Sequence, residues 1–290
     1  MSKTEQTTLR VAAAQYDISH QDSQSSFEQK LEHWVEEAIG EGAELLLFPE
    51  YAAMELVSLL SGDLHQDLDA QIEAMQELLP WYQSCYRTLA REHDVTIVAG
   101  SFPVRVDNTF HNRAFVFSRD GDVGYQDKQK MTRFENESWH ISAGNSLTLF
   151  HCKGATFGIC LCYDVEFPVL AREFIRQGAH ILLVPSCTDG IAGFNRVQIS
   201  CRARALENQC YVIQSVTVGE APWSLAVDVN IGTAGMFSPV DRGFPDDGIL
   251  ASGRLNQPQW VYADLDLSAI NTVRAEGQVF NYADWGDLYI

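Results

Sequence analysis

Apolar residues recur along the chain in two alternating patterns. Between residues 27 and 39 they fall at three- and four-residue steps, which predicts a helix packed on a core. The members of this stripe are Phe27, Leu31, Trp34, Val35 and Ala38. Two strands, Leu9–Tyr16 and Leu45–Phe48, are predicted on either side of this helix. The second is an uninterrupted apolar run, which is typical of a strand covered on both faces. The first 50 residues therefore predict a β–α–β unit.

The alternation continues down the chain. Further helices are predicted at 71–92, 168–176 and 196–207, and further strands at 95–104, 179–186 and 210–218. A hairpin is predicted to turn at Asp120-Gly121, and two more strands to meet near Lys153-Gly154. Because hairpins are mixed with helix crossovers, we expect a pair of mixed sheets. From about residue 271 the pattern becomes less regular, which predicts an irregular C-terminal tail.

Nothing in the sequence divides the 290 residues into separate units. Linkers rich in Pro or Ser, blocks of charge and solenoid repeats are all missing, so one α/β domain is predicted over residues 1–290. No apolar run reaches the roughly 20 residues of a membrane span. The polar N-terminus, MSKTEQTTLR, has no signal-peptide core. We expect a soluble cytoplasmic protein with no membrane partner.

Charge and cysteine usage narrow the function further. The chain has 20 basic and 39 acidic residues, a net charge of −19, which repels phosphate backbones and argues against a nucleic-acid partner. Seven cysteines, an odd number spread over the chain, favour reduced thiols over a disulfide scaffold. Cys160 and Cys162 are separated by a single residue, and no second cysteine pair follows at the spacing of a zinc finger. A structural zinc site is therefore disfavoured.

Three reactive side chains follow predicted strands, where α/β folds place catalytic groups. Glu50 follows LLLFP, Lys128 follows the strand Val123–Tyr125, and Cys162 follows ATFGICL. A carboxylate behind an apolar run is partly desolvated, which raises its pKa toward that of a general base. Taken alone, Glu50 fits a helix cap or surface site equally well, and Lys128 fits a solvated loop.

Cys160 and Cys162 are not equivalent in this pattern. In an extended strand both point to the same face, but Pro168 begins a helix, so the strand ends near Tyr163-Asp164. Cys162 then lies at the turn and Cys160 within the sheet. The geometry favours Cys162 as the reactive thiol. Two packed core thiols, or a redox pair, remain open at this point.

A cysteine, a glutamate and a lysine together make a coherent acyl-transfer site. The thiol attacks the carbon of an amide and the glutamate carries its proton to the leaving amine. The lysine and a backbone N–H hold the oxyanion, and water then releases the acid from the thioester.

The chain resembles the carbon–nitrogen hydrolase family, also called the nitrilase superfamily. The motifs LLLFPE, YQDKQKMT and GICLCYDVEFP follow one another in the family's order, and the resemblance covers roughly residues 9–270. The family's cysteine directly precedes Tyr-Asp, which selects Cys162 over Cys160. Its lysine lies three residues before a Met or Leu, which selects Lys128 over Lys130.

The resemblance implies an α/β fold, a four-layer αββα sandwich with two mixed sheets. It also implies a homodimer or higher homo-oligomer, no cofactor and no metal. The residue after the cysteine, Tyr163, matches the family's backbone oxyanion donor. Many members carry a second glutamate that orients the lysine or the substrate. Glu135 is favoured for that role, and Glu137 is the alternative.

Departures from the family pattern bear on the substrate. Val165-Glu166 stands where many members have an arginine, and Cys-Tyr-Asp replaces the Cys-Trp-Glu of true nitrilases. A small linear amide is therefore the predicted substrate, with N-carbamoyl compounds and nitriles as alternatives. A catalytically silent binding homologue is the hypothesis of a different class. The sequence alone leaves open whether the following residues line a pocket or only pack: Trp81, Trp139, His140, Glu166, Asn195 and Asn230.

Overall fold

The computed structural model describes residues 8–287, so the ends of the predicted domain, 1–7 and 288–290, lie outside the described residues. The strands are β1 (Thr8–Asp17), β2 (Leu45–Leu47), β3 (Thr96–Val106), β4 (Thr109–Phe117), β5 (Val123–Asp127), β6 (Ile141–Ser142), β7 (Phe150–Cys152), β8 (Ala155–Ile159), β9 (Ile181–Ser186), β10 (Tyr211–Glu220), β11 (Val229–Asn230), β12 (Gly235–Phe237), β13 (Ile249–Ser252) and β14 (Gln259–Asp266). The helices are α1 (Gln24–Gly40), α2 (Leu68–Met75), α3 (Leu79–Glu92), α4 (Arg133–Glu137), α5 (Pro168–Arg176), α6 (Ile191–Asn208), α7 (Leu267–Glu276) and α8 (Asn281–Asp284). Short 3₁₀ helices lie at Ala52–Leu59, Gly62–Leu64, Gln76–Leu78, Cys162–Glu166 and Trp285–Asp287.

Two mixed sheets join along a short seam. One has the order β5-β4-β3-β2-β1-β14 and the other β7-β8-β9-β10-β12-β13. One edge of β1 pairs with β14 from Thr8 to Gln15 and with β10 from Gln15 to Asp17. Pairs such as β1–β2 and β9–β10 are parallel, whereas β3–β4 and β7–β8 are antiparallel hairpins. The predicted pair of mixed sheets is confirmed.

Alternate residues of the central strands enter different cores, as the two-residue period of a strand requires. Val11 of β1 and Leu183 of β9 pack between the two sheets. The neighbouring Ala12 faces the core that α1 and α3 cover, and Leu182 faces the core that α5 and α6 cover. Three cores separate four layers, which gives the αββα sandwich that the sequence predicts.

Most predicted helices are present, with two changes of extent. Helix α1 buries the five residues of the predicted stripe. The helix predicted at 71–92 is instead two helices, because α2 ends at Met75 and α3 begins anew with Pro80 in its first turn. Proline has no N–H to donate and is tolerated only in that turn. Helix α6 begins at Ile191, earlier than the predicted Arg196.

The prediction of an irregular tail is wrong for the described residues. Helix α7 extends to Glu276, past the boundary at 271, and α8 follows it. Asp266 caps α7 by accepting hydrogen bonds from two backbone amides, and Leu267, Ile270 and Val273 are its buried face. A stripe of only three residues is too short to show a clear period in the sequence. Within residues 8–287, no helix is long and apolar enough to cross a membrane.

Candidate active site

Three strand ends bring the predicted reactive side chains into one cavity. Glu50 follows β2, Lys128 follows β5 and Cys162 follows β8, and all three line a cavity of ≈ 380 Å³. They are almost fully buried, at 1%, 1% and 5% exposure. The predicted grouping of these residues at strand ends is therefore present in the fold.

The Lys128 ammonium lies between two carboxylates. Its Nζ donates to Glu50 Oε1 at 2.8 Å and to Glu135 Oε1 and Oε2 at 2.8 and 2.7 Å. Burial alone would lower the pKa of Lys128, but the charges of Glu135 and Glu50 raise it well above its usual value. The lysine is therefore a fixed positive charge near neutral pH.

The two carboxylates differ in their affinity for protons. Burial raises the pKa of Glu50, against the opposing charge of Lys128. Burial acts on Glu135 in the same direction. There, however, the charge and hydrogen bond of Lys128, together with hydrogen bonds from Thr132 and Tyr51, lower the pKa below its usual value. Two nearby carboxyl groups with pKa values pushed apart suit different roles, a proton carrier and a permanent anion.

The structure separates Glu135 from Glu137. Glu135 forms a capping box with Thr132 at the start of α4, in which Oε2 accepts from the Thr132 amide at 2.9 Å. That arrangement turns its carboxylate inward to Lys128. Glu137 instead accepts from Arg133 Nε at 2.7 Å in an exposed pair. Of the two candidates, the fold brings only Glu135 to the lysine.

Cys162 lies in a strained backbone conformation at the turn after β8. Its φ of 46° is left-handed, which costs a non-glycine residue about 1–2 kcal/mol. The thiol is 3.7 Å from the carbonyl oxygen of Cys187 and lies close enough to Glu50 to feel its charge. Burial and the Glu50 charge raise the pKa of Cys162 well above its usual value, so the resting group is a thiol.

Tyr163 directly follows in the first turn of the 3₁₀ helix Cys162–Glu166 and lines the cavity. Amides in the first turn of a helix have no partner within the helix. Its position therefore suits the backbone donor predicted for an oxyanion.

Cys160 directly follows β8, which ends at Ile159 and not near Tyr163-Asp164 as predicted, and it packs in the same core cluster as Cys162. It is fully buried in the core beneath α5 and α6, and burial raises its pKa well above the usual value. Cys160 is not among the residues that line the cavity. The predicted difference between the two thiols is thus visible in their surroundings.

Three residues that sequence reasoning missed hold the carboxylates in place. Asn112 of β4 donates from Nδ2 to Glu50 Oε1 at 2.8 Å and to Glu135 Oε1 at 3.3 Å. The amide of Cys187, just after β9, donates to Glu50 Oε2 at 3.1 Å. The Tyr51 hydroxyl donates to Glu135 Oε1 at 2.7 Å. Cys187 directly follows the buried strand β9, and that position is the one signal that could have identified it.

A glycine in β3 shapes the chain in front of Glu50. Gly100 has a φ of +71°, at an irregularity of β3 between Val98 and Ser101. A Cβ at this position would lie 2.0 Å from the carbonyl oxygen of Pro49. The next residue, Ser101, accepts from the Tyr51 amide at 2.9 Å. Strand β3 therefore contacts the backbone on both sides of Glu50.

Arg204 of α6 supports the turn that carries Cys162. Its side chain is 8% exposed, and its guanidinium donates to the carbonyl oxygens of Val165 at 2.9 Å and Glu166 at 3.3 Å. It also pairs with Glu207 at 2.6 Å. Arg204 therefore does more than form an ion pair with Glu207, because it also binds the backbone of the 3₁₀ helix.

Of the residues that the sequence left open as pocket or packing residues, some line the cavity and others do not. Glu166 lines the cavity, and its Oε1 is 3.5 Å from Nε of Arg196, which also lines it. Trp139 lines the cavity with its ring 4.8 Å from that of Tyr51. The candidates that do not line it are Trp81, His140, Asn195 and Asn230. Among residues 8–287, no group of three His, Cys, Asp or Glu side chains is arranged to hold a metal ion.

Comparison with known proteins places this site in context. A model of the carbon-nitrogen hydrolase family matches residues 10–275. The chain is 32% identical over 276 residues to a probable hydrolase of Bacillus subtilis, YhcX, a match that covers 95% of this chain and 53% of that protein. It is 29% identical over 188 residues to the chloroplastic omega-amidase of Arabidopsis thaliana, covering 61% of this chain and 49% of that one. The chain therefore spans about half the length of these two relatives.

A solved structure gives the same fold. The carbon-nitrogen hydrolase from Helicobacter pylori superposes with a TM-score of 0.77 over 98% of this chain and 97% of that one, at 19% sequence identity. At that identity the likeness concerns the fold alone.

Proposed function

Because the chain belongs to the carbon–nitrogen hydrolase family, we propose that it hydrolyses a small linear amide to a carboxylic acid and ammonia. The reaction proceeds through a thioester on Cys162, with Glu50 as the base and Lys128 as the fixed cation. Glu135 is the supporting carboxylate, and the amide of Tyr163 helps to bind the oxyanion.

One observation carries the proposal: a thiol, a carboxylate of raised pKa and a lysine share one cavity. Glu50 accepts a hydrogen bond from the Lys128 ammonium, and its charge acts on the Cys162 thiol. A base whose pKa is raised by burial takes a thiol proton more readily than an ordinary carboxylate does. Glu135 neutralises the lysine, so Glu50 remains free to exchange its proton.

In the first half of the reaction, the Cys162 sulfur bonds to the amide carbon while its proton passes to Glu50. The carbonyl oxygen becomes an oxyanion, which the Lys128 ammonium and the Tyr163 N–H stabilise. Glu50 then returns the proton to the amide nitrogen. The carbon–nitrogen bond breaks, and ammonia leaves.

In the second half, water attacks the thioester carbon and gives a proton to Glu50. The carbon–sulfur bond breaks, the sulfur regains the proton, and the carboxylic acid leaves. The same carboxylate thus serves as base and acid in both halves.

Cavity size and the named relatives support an amide of modest size. A volume of ≈ 380 Å³ is at the lower end of the range for small-molecule sites. The Arabidopsis relative is an omega-amidase, and the chain has Cys162-Tyr163-Asp164 in place of the nitrilase triplet. Carbamoyl compounds and nitriles are the competing substrates.

Ammonia release from linear amides, N-carbamoyl amines and nitriles tests the proposal, with Cys162→Ala as the matched blank. We expect release from amides by the native protein and none by the variant. Mass spectrometry of acid-quenched reactions should show an acyl group on the Cys162 peptide. Turnover by Cys162→Ala, or no turnover of any amide by the native protein, would overturn the proposal.

A further inference from the structure

The left-handed backbone at Cys162 needs outside support. Non-glycine residues keep such a conformation only when surrounding contacts over-determine it. Arg204 supplies contacts at the end of the 3₁₀ helix, at Val165 and Glu166. The contacts at its beginning come from Asp164, a buried carboxylate with no role in the reaction proposed above.

Asp164 binds backbone amides on both sides of the site. Oδ1 accepts from the amide of Gln129 at 3.1 Å and of Lys130 at 2.7 Å. Oδ2 accepts from Leu161 at 3.2 Å and from Gln129 at 3.2 Å. Gln129 and Lys130 directly follow Lys128, and Leu161 directly precedes Cys162. One carboxylate thus spans the two segments that carry the cation and the thiol.

We propose that Asp164 is a positioning residue, which sets the Lys128 ammonium relative to the Cys162 sulfur by joining the segments that carry them. The inference rests on the proposed function for the meaning of that relative position. Errors of about 1 Å between reacting groups cost about 100-fold in rate. A link made directly beside both residues controls distances on that scale.

A carboxylate is suited to this link in a way that an amide is not. When the group is ionised, its two oxygens accept from all three amides, whereas an asparagine has one oxygen and turns an N–H₂ donor toward an N–H. The carboxylate is 1% exposed, and burial raises its pKa to about 7. Lys128 and Cys160 are the ionisable side chains that interact with it electrostatically. Keeping a charge in such surroundings is costly.

Asp241 offers a matched control elsewhere in the chain. It is 8% exposed and accepts from the backbone amides of Arg242 at 2.6 Å and Gln278 at 2.8 Å. It does not line the cavity. Asp164→Asn and Asp241→Asn therefore remove the same charge from the same kind of contact, inside and outside the site.

The experiment compares the two variants for Tm, for kcat and KM, and for the rate at which iodoacetamide alkylates Cys162, followed by mass spectrometry. We expect both variants to lose stability. Only Asp164→Asn should lose about 100-fold in kcat, with KM changed less than threefold, and alkylate at an altered rate. If Asp164→Asn fails to fold, Asp164→Glu serves, because it keeps the charge and displaces it by one methylene.

The results separate this inference from the proposed function. Equal kcat losses in both aspartate variants, or an unchanged kcat and alkylation rate in Asp164→Asn, would reduce Asp164 to a structural role. If the native protein hydrolyses no amide, the proposed function fails. The alkylation rates still report whether Asp164 controls the environment of Cys162.

Discussion

Glu50 Oε1 and the Lys128 ammonium lie 2.8 Å apart, although 78 residues separate them in the chain. Both side chains are at most 2% exposed. The lysine is held as a cation by two carboxylates, so its charge does not change near neutral pH. The proton that moves in the reaction is therefore on Glu50 or on the Cys162 thiol. The pH dependence should report Glu50 together with Asp164, whose pKa burial raises to about 7.

Activity should fall on the acid side at a pH above that of an ordinary glutamate. Glu50 accepts the thiol proton only when it is ionised, and burial raises its pKa. As the pH drops through that raised pKa, the base is protonated and kcat/KM falls. The measurement is the pH profile of kcat/KM. An acid limb at or below about 4.3, the value of an exposed glutamate, would contradict this assignment.

Asn112→Asp should move that limb to still higher pH. The Asn112 amide donates to both Glu50 and Glu135, so an aspartate there replaces a donor with a third negative charge. We expect the acid limb to rise by about one pH unit. The control is Asn195→Asp, the same change at an exposed position that does not line the cavity. An equal shift in both variants would mean that general charge, and not contact with Glu50, is responsible.

Glu135→Gln and Glu137→Gln should differ sharply. Glu135 bonds to the Lys128 ammonium through both oxygens, whereas Glu137 pairs with Arg133 at the surface. Loss of the Glu135 charge leaves the lysine paired to Glu50 alone. A Glu50 carboxylate held in that ion pair accepts a proton less readily. We expect about a 100-fold loss of kcat for Glu135→Gln and less than a twofold change for Glu137→Gln. Similar kinetics for the two variants would show that Glu135 has no role in the reaction.

The local pattern of the sequence predicts the strand ends well and the contacts between them poorly. Glu50, Lys128 and Cys162 stand out because each is a reactive group within three residues of the end of a strand. Asn112 and Cys187 reach Glu50 across 62 and 137 residues, and no short pattern encodes such a contact. The choice between Glu135 and Glu137 was partly encoded, since Thr132 and Glu135 have the spacing of a capping box.

The fold, like the site, was predicted only in part. Strand and helix periods predicted one α/β domain with a pair of mixed sheets, and the four layers followed from the resemblance to the family. Helix α7 was missed because tertiary packing of Leu267, Ile270 and Val273 stabilises it more than any local signal. The homodimer and the cytoplasmic location stay predictions.

Cys160→Ala should affect stability and Cys162→Ala activity. Cys160 packs in the core beneath α5 and α6, so its loss should lower stability by about 1 kcal/mol while kcat changes less than threefold. Cys162→Ala should abolish turnover and keep the fold. Thermal unfolding and ammonia release measure the two effects. A dead Cys160 variant beside an active Cys162 variant would reverse the assignment.

Glu166→Gln should change the preference for charged substrates. Glu166 stands 3.5 Å from Arg196 at the cavity and partly neutralises it. Without that charge, the arginine is available to a substrate carboxylate, so KM for an anionic amide should fall about two- to fivefold. KM for a neutral amide of the same length should stay the same. An equal change for both substrates would show that the effect is one of shape.

Gly100 carries no functional group, yet it contacts the chain just ahead of Glu50. Any side chain there meets the Pro49 carbonyl oxygen at 2.0 Å, and because the clash is with backbone, Pro49 and then Glu50 must move. The three motifs are thus insufficient to identify an active member of the family. A relative that keeps the glutamate, lysine and cysteine but has alanine at this position is expected to retain the fold and lose the reaction.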